Sequence, residues 1–388
     1  MTAANAGIRL LPPSFAPWKP EKARSKQIAV LMSGGVDSSL AAHLLKTDGW
    51  DVLGVTMKIP VSCGPRSRGC CGADAALVCN DLSIPHYFVD VTGPFEEFII
   101  EPFRRAYARG QTPSPCVDCN TVLKFSLLWD FLYAVLGIGY LATGHYAKLS
   151  APAGPVRLGR AADTAKDQSY FLYGIPAQKL PFLVLPLGHL TKKQVRSVAA
   201  RLNLRVAGKA ESMELCFAGE GDYRKALLRD SAGQQGDITD MQGNKIGTHQ
   251  GISNYTLGQR RGVGVACGHP LYVGRIEPAT NTIAIGTREQ VSFRTIRAEQ
   301  VNQLIPEQLF TGSRLSAKIR SYGDPKPCKI VDGGAAEMTV EFDEPQFAPC
   351  PGQKLVLYDG SDHLVAGGKI ASAAFRDCDS CCAHENTC

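Results

Sequence analysis

One segment limits what this chain can fold into more than any other. Ile28-Ala-Val-Leu-Met32 runs directly into Ser33-Gly34-Gly35-Val36-Asp37-Ser38-Ser39, and a helix-forming stretch follows to about Lys46. The two glycines let the backbone turn sharply with its N–H groups exposed, the serines add hydroxyl donors, and a helix N-terminus presents partial positive charge. Strand, loop and helix in that order make a cradle for phosphate. It is not a Walker loop, because the lysine of G-x-x-x-x-G-K-[ST] is missing. A glycine turn in which Asp37 or Ser38 merely caps the helix would use some of the same residues, but not the whole ordered set.

The surrounding pattern predicts an α/β fold. Apolar runs at 28–32, 52–57, 87–91 and 140–143 are separated by helical patterns over 73–82, 95–108 and 121–136, with a last amphipathic helix over 192–202. Helix-length crossovers between strands imply a doubly wound parallel sheet. Beyond about residue 218 the segments become short and glycine-rich, with a hairpin expected from 272–276 and 282–285. Five or six further short strands then suggest a small β-barrel. In one of them Met338, Val340 and Phe342 alternate with Glu337, Thr339 and Glu341, so one face is buried. The expected layout is an N-terminal arm over 1–26, a catalytic domain over 27–217, a small central domain over 218–293, a β-barrel over 294–375 and a Cys-rich tail over 376–388.

Hydrophobic residues make up 44% and the net charge is +6, which excludes a globally disordered chain. The apolar stretch 125–142 is broken by Asp130, Gly137 and Gly139, so no membrane segment is expected. Four prolines between Arg9 and Pro20 disfavour a secretory signal or an amphipathic transit peptide, which points to the cytoplasm. The 14 cysteines are too few for a disulfide scaffold and too clustered for scattered core thiols. Cys70 and Cys71 adjoin, Cys116 and Cys119 form C-x-x-C, Cys216 stands alone, and Cys378, Cys381, Cys382 and Cys388 crowd the tail.

The S-G-G-x-D-S segment resembles the PP-loop ATP pyrophosphatase superfamily. Further motifs follow in order: Thr112-Pro-Ser-Pro-Cys-Val-Asp-Cys-Asn120 with Leu123-Lys-Phe125, Ala142-Thr-Gly-His-Tyr146, Lys166-Asp-Gln-Ser-Tyr-Phe171, Glu214-Leu-Cys-Phe217, Gly247-Thr-His-Gln-Gly251 and Tyr255-Thr-Leu-Gly-Gln-Arg-Arg-Gly262. Together they resemble the tRNA-specific 2-thiouridylases. The resemblance implies ATP-dependent replacement of the C2 oxygen of a wobble uridine by sulfur, with ATP and Mg2+ as cofactors. It places Leu31, Met32, Ser33, Gly34, Gly35, Val36, Asp37, Ser38, Met57 and Gly144 at the nucleotide. Ser114, Pro115, Cys116, Lys166, Asp167, Gln168, Arg320 and Ser321 would meet the tRNA, and a persulfide donor would be a second partner. It assigns Cys119 as nucleophile and Cys216 as the bearer of the persulfide, joined in a disulfide at the end of a turnover.

Two departures stand out. Some members carry aspartate where this chain has Cys116, so Cys116, Cys119 and Cys216 offer three thiolates suited to an iron–sulfur cluster, an alternative to the persulfide route. In the barrel, Arg320-Ser321-Tyr322 displaces by one position a tyrosine that follows arginine in the family. Basic stripes at 190–210 (Lys192, Lys193, Arg196, Arg201, Arg205, Lys209) and 314–329 (Arg314, Lys318, Arg320, Lys326, Lys329) suit phosphate contacts. The rival readings are a PP-loop ligase acting on a small molecule and a non-catalytic tRNA-binding or sulfur-relay protein.

Overall fold

The computed structural model describes residues 7–9, 26–60, 72–151, 154–211, 215–217, 234–265 and 267–374. Cys70, Cys71, Glu214 and the tail over 376–388 lie outside them. The chain divides into two compact units, one built mainly from 1–101 and 115–223, the other mainly from 102–114 and 224–388.

The first unit contains strands β1 (Gly7–Arg9), β2 (Gln27–Leu31), β3 (Asp51–Lys58), β4 (His86–Asp90) and β5 (Tyr140–Ala142), the small pair β6 (Lys148–Ser150) and β7 (Arg157–Gly159), and β8 (Leu183–Val184). Six of them form one sheet in the order β1-β4-β3-β2-β5-β8, with every recorded neighbour parallel. The expected doubly wound sheet is therefore present. Its connections run outward in opposite directions from β2 and β5, and the crevice at such a switch point is where open α/β sheets bind ligands. The phosphate loop leaves β2 there. Helices α1 (Val36–Thr47) and α2 (Ala73–Asp81) and the helix Lys192–Arg201 pack on it. Ile28, Val30, Leu40, Leu45, Val78, Val195 and Ala199 fill one core cluster. A Thr191–Gln194 capping box fixes where the last helix starts.

The arm over 1–26 is not wholly outside the fold. Gly7–Arg9 adds an edge strand to β4, too short for periodicity to reveal.

The helix Pro115–Leu136 is, by length and composition alone, apolar enough to cross a membrane, with 22 residues and a mean hydropathy of 1.3 in its most apolar window. It is a core helix instead: Leu123, Phe125, Leu128 and Trp129 are fully buried. Lys179 reaches in to donate to the Phe125 carbonyl at 3.0 Å and to pair with Asp130. Its middle, Cys119–Leu128, is wound as a π-helix, a widening often found at functional sites.

In the second unit, β9 (Gly236–Thr239), β10 (Lys245–His249), β11 (Tyr272–Glu277) and β12 (Thr282–Gly286) form a sheet in the order β10-β9-β12-β11. The β11–β12 hairpin is the one expected. His249 of the Gly247–Gly251 motif is fully buried. Its Nδ1 accepts from the Gly251 N–H at 3.0 Å and its Nε2 lies 3.0 Å from the Asn281 carbonyl, so it serves the fold. Then β13 (Ser292–Gln303), β14 (Arg314–Lys318), β15 (Lys326–Gly333), β16 (Glu337–Phe347), β17 (Lys354–Tyr358) and β18 (Leu364–Ala374) close into a barrel in the order β13-β16-β15-β14-β17-β18. Met338, Val340 and Phe342 point inward as their alternation requires. β13 has no strong apolar alternation, yet it pairs with both β16 and the last strand, β18, and so closes the barrel.

Candidate active site

The loop after β2 is shaped by its own serines. Ser38 Oγ accepts from the Ser33 N–H at 3.2 Å, lies 3.2 Å from Ser33 Oγ, and donates to the Gly35 carbonyl at 3.2 Å. Ser39 Oγ donates to the same carbonyl at 2.9 Å. Gly34 has φ +70, and a Cβ there would stand 3.1 Å from Asp74 Cβ. The left-handed backbone favours glycine, and a side chain there would also crowd Asp74. Met32 is anchored on β3 by its N–H to the Val55 carbonyl at 2.7 Å and by the Thr56 hydroxyl donating to its carbonyl at 2.9 Å. Leu31 and Met57 are half-buried at the ends of β2 and β3, Val36 and Ser38 are buried, and Ser33 is exposed.

The segment after β5 closes on this loop. A Cβ at Gly144 would lie 2.7 Å from both the Asp37 carbonyl carbon and the Ser38 nitrogen, so only glycine allows the two backbones to approach. Tyr146 Oη donates to Asp37 Oδ1 at 2.7 Å, and burial followed by this bond pushes its pKa up. Thr143 Oγ1 lies 2.8 Å from His145 Nδ1, and burial first, Lys124 second, hold the imidazole below its ordinary pKa and so neutral. Gly144→Ala must push the loop aside. It is expected to raise the KM for ATP about tenfold and to cost about 1–3 kcal/mol of stability, checked by initial rates and thermal unfolding.

The basic stripe over 190–210 has no acid of its own, but folding brings acids to four of its six cations, while Lys193 and Arg201 stay exposed. Lys192 pairs with Asp37 and Glu211, Arg196 with Glu211, Arg205 with Asp81, and Lys209 with Asp74. Lys209 also donates to the Gly34 carbonyl at 3.1 Å. Lys192, Arg196 and Lys209 thus belong around the phosphate loop rather than on an open RNA-facing stripe. Lys166 pairs with Glu211 at 2.7 Å, holding that carboxyl below its usual range.

Cys116 and Cys119 sit one helical turn apart, near the start of the helix Pro115–Leu136. Cys119 is buried, while Cys116 and Cys216 are exposed, and all three are free thiols. They lie within electrostatic range of each other and of one cation. Although Cys116 and Cys216 have open surface, the protein packed around each sulfur pushes its pKa up, Cys216 to about 12 with Cys119 and Cys116 adding to the rise, and Lys124 pulls each back. Asn120 Oδ1 accepts from Lys124 Nζ at 2.9 Å, while Asn120 Nδ2 donates to the Phe171 carbonyl at 3.1 Å. Lys124 was visible in the Leu123-Lys-Phe125 motif, but nothing in its spacing tied it to cysteines; the π-helical turn does. Among the described residues no three His, Cys, Asp or Glu side chains are placed to hold a metal ion. The three-thiolate cluster expected as an alternative therefore finds no ligand set.

Of the residues expected at the tRNA, Asp167 faces inward. Its carboxylate accepts from the Ala161 N–H at 3.0 Å, the Ser169 N–H at 3.1 Å and the Ser169 hydroxyl at 2.9 Å. It shapes the turn that carries Lys166 and Gln168. Gln168 Oε1 in turn accepts from the Tyr146 N–H at 2.9 Å. Pro115 is buried and Ser114 half-buried. In the barrel, Arg320 donates to the carbonyls of Phe347 and Ala348, Ser321 is exposed, and Tyr322 is 90% exposed.

Three family models match successive parts of the chain. They are described as tRNA methyl transferase HUP domain (residues 26–220), tRNA methyl transferase PRC-barrel domain (224–287) and aminomethyltransferase beta-barrel domain (293–370). Similar curated proteins are named tRNA-specific 2-thiouridylase MnmA. That of Lachnoclostridium phytofermentans is 40% identical over 358 residues, covering 89% of this chain and 99% of the relative. That of Pelotomaculum thermopropionicum is 41% identical over 357 residues, covering 89% and 97%. That of Moorella thermoacetica is 42% identical over 360 residues, covering 89% and 99%.

Proposed function

This chain belongs to the tRNA-specific 2-thiouridylase family, and on that premise we propose how its parts divide the work. It is a transferase that uses ATP to exchange oxygen for sulfur at C2 of a tRNA uridine. The family models carry a methyl-transferase description, but a loop suited to phosphate and a group of three cysteine thiols in the same unit suit adenylation and sulfur transfer.

A uracil carbonyl oxygen is a very poor leaving group. In the proposed sequence the C2 oxygen attacks the α-phosphorus of ATP held at Ser33–Ser38, the bond to the β-phosphate breaks, and pyrophosphate departs. Asp37 is the loop carboxylate suited to a nucleotide-bound Mg2+, whose other ligands are phosphate and water. The terminal sulfur of a Cys216 persulfide then attacks C2 and AMP leaves. Cys119 gives its thiol proton to solvent, the thiolate being the form Lys124 favours, and attacks the Cys216 sulfur; the persulfide S–S bond breaks, and sulfur stays on C2 as the thiocarbonyl. The Cys119–Cys216 disulfide that results is reset by an external dithiol. Exposure supports this division: Cys216 is open to a persulfide donor, whereas Cys119 is 7% exposed and suited to an internal attack. Three thiols within electrostatic range of one lysine carry the reading, because a small-molecule ligase on the same loop has no use for them.

Lys166, Gln168, Arg320 and Ser321 are proposed at the tRNA, with Asp167 positioning the first two. A cytoplasmic location is part of the proposal, the cytoplasm being a compartment that holds tRNA. The test is ATP–pyrophosphate exchange: labelled pyrophosphate should enter ATP only when tRNA with a wobble uridine is present. Exchange driven by small amides or carboxylates without tRNA would favour the ligase. tRNA binding with no exchange would favour the relay protein.

A further inference from the structure

The phosphate loop supplies only neutral donors, backbone N–H groups and serine hydroxyls, plus the negative charge of Asp37. The chemistry asks for more. As the bond between the α-phosphorus and the bridging oxygen breaks, negative charge builds on the departing pyrophosphate, and a fixed cation there lowers the barrier. Walker loops carry that cation within the motif; this one does not.

Lys192 fills the gap from another element. Its Nζ lies 2.8 and 2.7 Å from the two Asp37 carboxylate oxygens, 3.4 Å from Glu211 and 5.5 Å from the centre of the Tyr146 ring. Its side chain is only 11% exposed. The capping box that begins its helix at Thr191, together with the Lys192 N–H donating to Asp163 at 2.9 Å, fixes the backbone from which the ammonium reaches. Tyr146, donating to Asp37 Oδ1, borders the same carboxylate.

The geometry points to Lys192 as the pyrophosphate-binding lysine of this site: without nucleotide it is held by Asp37, and with ATP bound it turns to the β- and γ-phosphates and steadies them as they leave. The flexible four-carbon stem makes the exchange a side-chain rotation. Asp37 is then released toward the nucleotide's Mg2+. The inference rests on the reading of Ser33–Ser38 as the ATP loop.

The test compares wild type, Lys192→Met and Lys192→Arg with three probes, ATP, inorganic pyrophosphate and AMP, each titrated with Mg2+. In Lys192→Met, pyrophosphate affinity should fall about tenfold or more, equal to about 1.4 kcal/mol, while AMP affinity changes less than about twofold. The kcat of pyrophosphate exchange should fall further than the KM for ATP rises, and Lys192→Arg should recover part of both. Equal losses for AMP and pyrophosphate, with a lowered Tm, would make Lys192 a structural counter-ion and overturn the inference. So would unchanged pyrophosphate affinity. Wild-type protein that binds neither ATP nor pyrophosphate would instead overturn the loop reading itself.

Discussion

Cys216→Ser is expected to release pyrophosphate at close to the wild-type rate in its first turnover while making less 2-thiouridine by a factor of about 10⁴ or more, the scale on which loss of a nucleophile is felt. A serine hydroxyl cannot carry a persulfide, yet nothing in the phosphate loop depends on that sulfur. Adenylated tRNA should therefore accumulate or hydrolyse back. Cys119→Ser should differ in kind: sulfur reaches C2, but the Cys216–S–S–C2 link is not resolved, and the protein should be trapped as a covalent tRNA adduct that a thiol reductant releases. The check is quench-flow pyrophosphate release beside nucleoside mass spectrometry and a non-reducing gel. If Cys216→Ser thiolates at the wild-type rate, Cys216 is not the carrier. Cys116→Ala should retain turnover, because no described ligand set requires its thiol.

Asp37→Ala should give the opposite pattern, with pyrophosphate release reduced about a thousandfold, as for removal of a main electrostatic contact, and tRNA affinity within a few-fold of wild type. Asp37 accepts from Tyr146 and pairs with Lys192, so its loss frees two donors at the loop and leaves the barrel untouched. Some of the effect will be structural, since a partly enclosed ammonium loses its nearer partner and keeps only Glu211 at 3.4 Å. Asp37→Asn separates the two: it keeps a hydrogen-bond acceptor and should recover stability without recovering rate. Ser33→Ala should also lower pyrophosphate release, because Ser33 and Ser38 shape each other across 3.2 Å. Undiminished thiolation in Asp37→Ala would refute the loop assignment.

Much of the fold was legible because burial enforces periodicity. β2, β3, β4 and β5 are short apolar runs separated by crossovers of helix length, and α1 follows its loop without a gap. β1 and β13 were not legible, for different reasons. β1 has three residues, fewer than any pattern can show, and β13 shows few inward apolar positions beyond Ile296 and Ala298, so register with its neighbours defines it.

The site divides in the same way. Ser33–Ser38, Gly144 and the cysteines announce themselves by motif. The partners of Lys192, Lys209 and Arg205 do not, because the acids that meet them come from Asp37, Asp74 and Asp81, more than a hundred residues away. A run of cations without nearby acids looks like an RNA surface until tertiary contacts supply the counter-charges. Lys124 is hidden for a third reason. Five residues from Cys119, it shares a face with it on a π-helical turn, whereas α-helical spacing would separate them.

The most direct test of the account is a single-vessel assay. Protein stripped of iron but supplied with Mg2+ is incubated with wobble-uridine tRNA, ATP and a small-molecule persulfide donor, and the digested nucleosides are measured by mass spectrometry beside AMP and pyrophosphate. The account predicts 2-thiouridine formed one for one with AMP and pyrophosphate in iron-free protein, all three lost when ATP is withheld. Thiolation that appears only after an iron–sulfur cluster has been rebuilt, or AMP and pyrophosphate formed with no sulfur on the uridine, would contradict it.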